Sequence, residues 1–240
     1  MLLVIPFGNT IIKKLSELPT PITPEDSAVG MGPAFTEGKY HCRDGNETAF
    51  MRIYKQIPLD GTRLEDSDVR KPQARPPGDH VELEALKFLT EQECSVTPRL
   101  LGYRIGQQDE HDIVPGGYII HLVWEQVEGE SLDFQQFWAL PYATREKIRW
   151  NFEEAYRKLL KFGYEPILSD PSKIIMDKAT LDVKISGFKW AERVDTDTKD
   201  TKWTRINFAS FSLALISSND DRYLPDLAND LRRDAKGWRW

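Results

Sequence analysis

Two cysteines and four histidines are the residues of this chain suited to act as a thiol nucleophile, a metal ligand or a neutral-pH base. Cys42 and Cys94 stand alone, with no Cys-x-x-Cys or His-x-x-His partner at ligand spacing, which predicts two free thiols and gives no support to a zinc site or a disulfide framework. His41, His80, His111 and His121 lie near no Gly-x-Ser-x-Gly elbow, so a hydrolase triad has no basis here, and they are expected on the surface or in strands. What remains is charged: Arg52 and Glu82 in the first half, Asp170, Lys173 and Asp177 in the second. A guanidinium can grip a phosphate or pair with a carboxylate, and an aspartate can take a proton. Asp170 also precedes Pro171, the usual setting of a turn residue.

A chain of 240 residues, 40% of them hydrophobic, can bury a substantial core in one large domain or two small lobes. Its net charge of -6 argues against nonspecific attraction to nucleic acid or to an anionic membrane. The apolar start Met1-Leu2-Leu3-Val4-Ile5 is too short to span a bilayer and lacks the basic start and cleavage site of a signal peptide. The expected location is intracellular, cytoplasmic or nuclear.

Hydrophobic spacing indicates the elements that hold these groups. Thr10 to Leu18 has the spacing of a short helix, and Pro19, Pro21 and Pro24 follow in a polar stretch expected to be extended and mobile, so residues 1–29 read as an N-terminal arm that wraps a surface. Lys39 to Cys42 and Ala49 to Tyr54, joined by Asp44-Gly45-Asn46, predict two antiparallel strands. Residues 57–79, with four prolines and few large apolar groups, predict a flexible insertion. A helix is expected over His80 to Glu93, its stripe made by Val81, Leu83, Ala85, Leu86, Phe88 and Leu89.

Beyond Pro98 a strand restarts at Leu100, and Gly117 to Glu125 reads as an interior strand, with Gly129 as a hinge after it. Thr144 is placed to cap a helix running to about Phe162, with Ile148, Phe152, Ala155, Tyr156, Leu159 and Leu160 on one face and Gly163 closing it. Lys173 to Asp177 and Asp182 to Phe188 predict a hairpin, and Ile206 to Ile216 a further helix.

A sheet with one inserted helix, a hinge, a long helix and a hairpin is the element order of protein kinases, and particular residues add to the likeness. Gly30-x-Gly32 precedes Arg52 by about the distance from a kinase glycine loop to its strand lysine, and Glu82-x-x-Ala85 resembles the helix-C glutamate motif. Trp124-Glu125-Gln126-Val127-Glu128-Gly129 resembles the hinge of kinase-like sequences from filamentous fungi. Gly163 to Ile175 falls on the catalytic-loop segment, and Val183 to Phe188 on the strand that enters Asp-Phe-Gly. Residues 30–191 carry the resemblance.

Phosphoryl transfer depends on positioning: a lysine on the phosphates, an aspartate on the acceptor hydroxyl, and oxygen ligands for magnesium. By this resemblance the strand lysine becomes Arg52, the catalytic-loop histidine Pro166, the catalytic aspartate Leu168, the metal-binding asparagine Lys173 and the Asp-Phe-Gly aspartate Gly187. No base remains, and a hard cation is offered an ammonium and a hydrogen atom. Arg52 can pair with Glu82 or contact a nucleotide. Lys173 can stand in for the missing metal charge.

The resemblance therefore implies an α+β, bilobal protein-kinase-like fold: a small antiparallel-sheet N-lobe over 30–125 and a reduced helical C-lobe over 126–240. It implies a pseudokinase that acts as a binding, scaffold or regulatory module on a protein partner, without a specific nucleic acid or membrane role. No cofactor and no metal are expected, metal-independent ATP being the exception. Arg52, Glu82, Glu125, Val127 and Lys173 would line a vestigial nucleotide pocket. Two alternatives stand beside it: an atypical phosphotransferase using Asp170 as a displaced carboxylate, and a non-kinase interaction domain in which Arg52 and Glu82 do not meet. The tail Lys236-Gly237-Trp238-Arg239-Trp240 is expected to be exposed and to mark a contact surface, and Trp138, Trp150, Trp190 and Trp203 to pack in the core.

Overall fold

The computed structural model describes residues 11–44, 46–167, 169–195, 203–216 and 230–240. The chain divides into two compact units, Met1–Leu83 with Leu100–Gln126, and Glu84–Arg99 with Val127–Trp240.

The first unit is built on a five-stranded antiparallel sheet. Strands β1 (Ile11–Thr20), β2 (Phe35–Asp44), β3 (Glu47–Gln56), β4 (Leu100–Gln107) and β5 (Tyr118–Glu125) lie in the order β1-β2-β3-β5-β4. Period-two alternation sorts β3 into two faces. Ala49, Met51 and Ile53 pack with Cys42 and Val123 on one, which leaves Phe50, Arg52 and Tyr54 on the other. The pairs Met51↔Val123 and Arg52↔Leu122 set the register, so the near-continuous apolar run of β5 is buried between two neighbours, as expected.

β1 replaces the helix expected over Thr10 to Leu18. Ile12, Leu15 and Leu18 sit at helical spacing, yet all are exposed (43–55%) on an edge strand that neither face buries, so spacing carries no information about it. Its register slips between Lys14 and Ser16, and Pro19, lacking an N–H, is tolerated at the edge. Residues 11–20 are thus an edge strand of the sheet and not a helix of a separate arm; residues 1–10 lie outside the described residues, as does Gly45.

Residues 57–79, expected to be a flexible insertion, hold turns, a short helix α2 (Ser67–Arg70, after α1 at Pro24–Ala28) and a 3-10 turn at Lys71–Gln73. Glutamines anchor the segment. Gln56 donates to the Gln73 carbonyl (2.7 Å) and accepts from the Arg75 N–H (2.9 Å), while the Gln73 side chain accepts from the Leu59 N–H (2.9 Å). Side-chain hydrogen bonds replace the apolar contacts that the segment lacks.

Helix α3 (Val81–Glu91) follows. Its inner stripe is Leu83, Ala85, Leu86 and Leu89, but Val81 is 47% exposed and Glu82 only 3%, so a carboxylate takes an inner place that Val81 was expected to fill.

In the second unit, β6 (Glu130–Ser131), β8 (Ile174–Met176) and β9 (Val183–Ile185) form a small sheet, and β7 (Tyr164–Pro166) pairs with β10 (Ala191–Arg193). Helix α4 (Phe134–Ala139) precedes the long α5 (Tyr142–Lys161). Every residue of the predicted stripe of α5 is buried, from Ile148 to Leu160, and Gly163 turns the chain at φ 72°. Thr144 is not its cap: α5 begins two residues earlier, and the Asp230 carboxylate accepts from the Tyr142 N–H and from the Arg145 guanidinium. A partner 88 positions away in sequence makes that cap invisible to local pattern.

The helix expected over Ile206 to Ile216 is one short turn, α6 (Ile206–Ser210), after which the chain bends at Ser212 (φ 55°). The tail is not the exposed surface expected. Arg239 and Trp240 are buried, Arg239 pairs by backbone with Leu215, and the Trp238 and Trp240 rings stack at 5.6 Å. Of the other tryptophans, Trp138 is fully buried, whereas Trp150 (56%) and Trp190 (46%) are exposed and do not belong to the core.

Candidate functional site

The charged residues singled out from sequence fall into two sets, one in each unit.

In the sheet unit, β3 presents Arg52 and Tyr54 on one face because they are two residues apart, and the first turn of α3 supplies Glu82. Arg52 Nη1 donates to Glu82 Oε1, and the Tyr54 hydroxyl donates to Glu82 Oε2 at 2.6 Å. The Glu82 side chain is 4% exposed and that of Arg52 15%. Burial works against the charge on Arg52, but Glu82 and Tyr54 outweigh it and hold the guanidinium above its ordinary value; burial, then Glu82, pushes the Tyr54 hydroxyl up. Arg52 is therefore charged, and both oxygens of the Glu82 carboxyl are engaged, one by Arg52 and one by Tyr54. The His80 ring lies 4.1 Å from that of Tyr54, and burial pushes its pKa down, so it is neutral near pH 7. Arg52 also lies 5.3 Å from the Trp124 ring. Tyr54 and His80 were missed from sequence, although Tyr54 was legible as the same-face neighbour of Arg52.

Arg52 and Glu82 thus meet, as a non-kinase domain sharing only the element order would not require. The glycine pair does not resemble a phosphate cradle: Gly30 (φ 92°) closes α1, with its N–H donating to the Ser27 carbonyl at 3.2 Å, and a Cβ at Gly30 or Gly32 would meet nothing within 4 Å. Glu125 ends β5 opposite Ala49, while Val127 belongs to the second unit.

In the second unit, β8 and β9 pair antiparallel through Ile174↔Ile185 and Met176↔Val183, forming the predicted hairpin. Lys173 immediately precedes β8 and Gly187 follows β9 by two residues. The Ser186 N–H donates to the Lys173 carbonyl at 2.8 Å, which ties the two ends together. Gly187 adopts φ 91°, and a Cβ there would stand 2.6 Å from Lys173 Cδ, so the lysine stem fills the space beside the glycine. The two positions that the sequence resemblance equates with metal ligands thus carry a lysine and no side chain.

Asp170 caps the 3-10 turn Pro171–Lys173, accepting the Ser172 N–H at 2.9 Å, as its place before proline suggested. Pro166 is buried at the end of β7, opposite Ala191. Leu168 lies outside the described residues. Asp177 accepts the Ala179 N–H at 2.7 Å in the hairpin turn. Among the described residues no group of three His, Cys, Asp or Glu side chains is placed to hold a metal ion, and no helix is long and apolar enough to cross a membrane.

No protein-family model matches the sequence, and no curated protein is significantly similar to it. Among solved structures, the chain is similar to the kinase PK-1 of the Cydia pomonella granulovirus, at 10% identity and a TM-score of 0.42. The likeness covers 76% of this chain and 52% of the viral one, so the chain spans about half the length of that kinase.

Proposed function

We propose that this chain is a kinase-like protein that does not transfer phosphoryl groups and acts by binding, as a scaffold or regulator of a protein partner inside the cell. The observation that carries this reading is the hairpin, where Lys173 lies over Gly187 and the two metal-ligand positions hold no oxygen-bearing side chain. Magnesium there would have neither of its ligands and would meet a cation instead. The buried Arg52–Glu82 pair supports the kinase-like half of the reading, since it joins the strand and helix positions where kinases join lysine and glutamate.

Arg52 is committed to Glu82 and Tyr54, and any nucleotide would have to share it. Lys173 can supply positive charge without a metal, so any ATP binding is metal-independent. Asp170, engaged by a backbone amide, is a turn residue and not a displaced base. The test is ADP release from ATP with magnesium: the expected rate is that of heat-inactivated protein. A magnesium-dependent rate abolished by Asp170→Ala would overturn the proposal.

A further inference from the structure

The helical unit carries a cleft that the kinase-like reading does not use. Its volume is about 470 Å³, within the range of small-ligand sites, and its walls come from the first turns of α5, from Arg205 before α6, and from the tail. Its cations are stacked on rings: Arg232 lies 3.9 Å from the Tyr142 centroid, Arg205 4.3 Å from Trp240, and Arg149 5.3 Å from Trp240. A guanidinium stacked on a ring keeps its N–H edge for a planar or tetrahedral oxyanion.

Among the described residues, the carboxylates of the cleft are already matched. Glu146 pairs with Arg149, Glu153 with Arg157, and Asp234 with Arg205. Asp234 also accepts the N–H groups of Lys236 (2.9 Å) and Trp238 (3.1 Å) and the Trp240 indole N–H (3.2 Å). Arg232 is exposed and, among the described residues, its guanidinium has no carboxylate, which leaves a surplus positive charge at the rim.

Arg149, which lines the cleft, adds an independent sign. Its side chain is 3% exposed, Nε donates to the Leu213 carbonyl at 2.6 Å, and Nη2 is buried with no acceptor. Burial pushes its pKa down to about 10. A buried donor without a partner is uncommon in native proteins and is relieved by an anion brought beside it.

We propose that this cleft binds a small phosphate-bearing ligand, held by Arg232 at the rim and by Arg149 within. The test is calorimetric titration of the full chain with inorganic phosphate and with phenyl phosphate. Saturable binding is expected at roughly millimolar affinity or tighter. Arg232→Ala, on the surface and outside the core, should weaken it about tenfold or more, and Arg232→Lys should restore part of it. Binding of both probes would identify the phosphate group itself as what is recognised, and binding of phenyl phosphate alone a phosphate ester. No saturable heat with either probe would overturn the proposal. So would binding unchanged in Arg232→Ala but lost in Lys173→Ala, which would place the anion at the hairpin instead.

Discussion

In the sheet unit a cation and a carboxylate, 30 residues apart in sequence, meet in a buried pair in which both carboxylate oxygens are used; in the helical unit the hairpin ends bring the Lys173 stem against a glycine, with no ion pair to Lys173 among the described residues. Both arrangements are ordered, but they differ in what they can do. In the first, Tyr54 and Arg52 use both oxygens of Glu82, so its contribution is to stability and to fixing the first turn of α3 on β3. The second places the Lys173 stem over Gly187, with no ion pair to Lys173 among the described residues. On the proposed reading, the difference would separate the shape of a kinase-like pair from kinase chemistry, because an arginine can hold a lysine's place in an ion pair whereas a metal site does not survive loss of its oxygens.

The comparison breaks first at Arg52. Arg52→Ala leaves a carboxylate with 4% exposure without its cation, and a loss of about 3–5 kcal/mol is expected. Urea unfolding measures it; a loss below about 1 kcal/mol would mean that the pair is an incidental surface contact. Tyr54→Phe, which removes only the hydroxyl donor to Glu82, should cost about 2 kcal/mol by the same measurement.

In the helical unit the corresponding change is smaller. Gly187→Ala forces a Cβ against a flexible lysine stem at φ 91°, for about 1–2 kcal/mol. Part of that cost should vanish in the Lys173→Ala background. A double-mutant cycle showing strict additivity would mean that the two side chains do not share this space.

The smallest effect concerns pH. Burial lowers the His80 pKa from 6.5, so between that lowered value and 6.5 the unfolded chain binds the proton and the folded chain does not. Stability therefore falls as pH drops below about 6.5 and levels off once the folded histidine is protonated. His80→Gln should flatten this slope, read as melting temperature against pH. His121, also lowered by burial, sustains what slope remains.

The parts of the fold legible in sequence are those where one face is buried. The α5 stripe, the apolar run of β5 and the Asp-Gly hairpin signal all report burial or turn geometry directly. β1 did not, because an exposed edge strand leaves Ile12, Leu15 and Leu18 free of any burial pattern. The order of 57–79 depends on Gln56 and Gln73, polar side chains that composition counts as solvent-facing. The start of α5 depends on Asp230. At the candidate site, Arg52, Glu82, Lys173 and Gly187 are legible through a motif and Tyr54 through the two-residue strand period it shares with Arg52, while His80 needs the third dimension.

The most direct test is a thermal-shift titration with ATP, with and without magnesium, since a ligand that binds only the folded state raises the midpoint. The account predicts that magnesium adds nothing: the midpoint stays where it is, or rises equally with and without the metal, and Arg232→Ala then tells whether the phosphate cleft is responsible. A rise that requires magnesium would contradict it, because neither Lys173 nor Gly187 offers that ion an oxygen-bearing side chain.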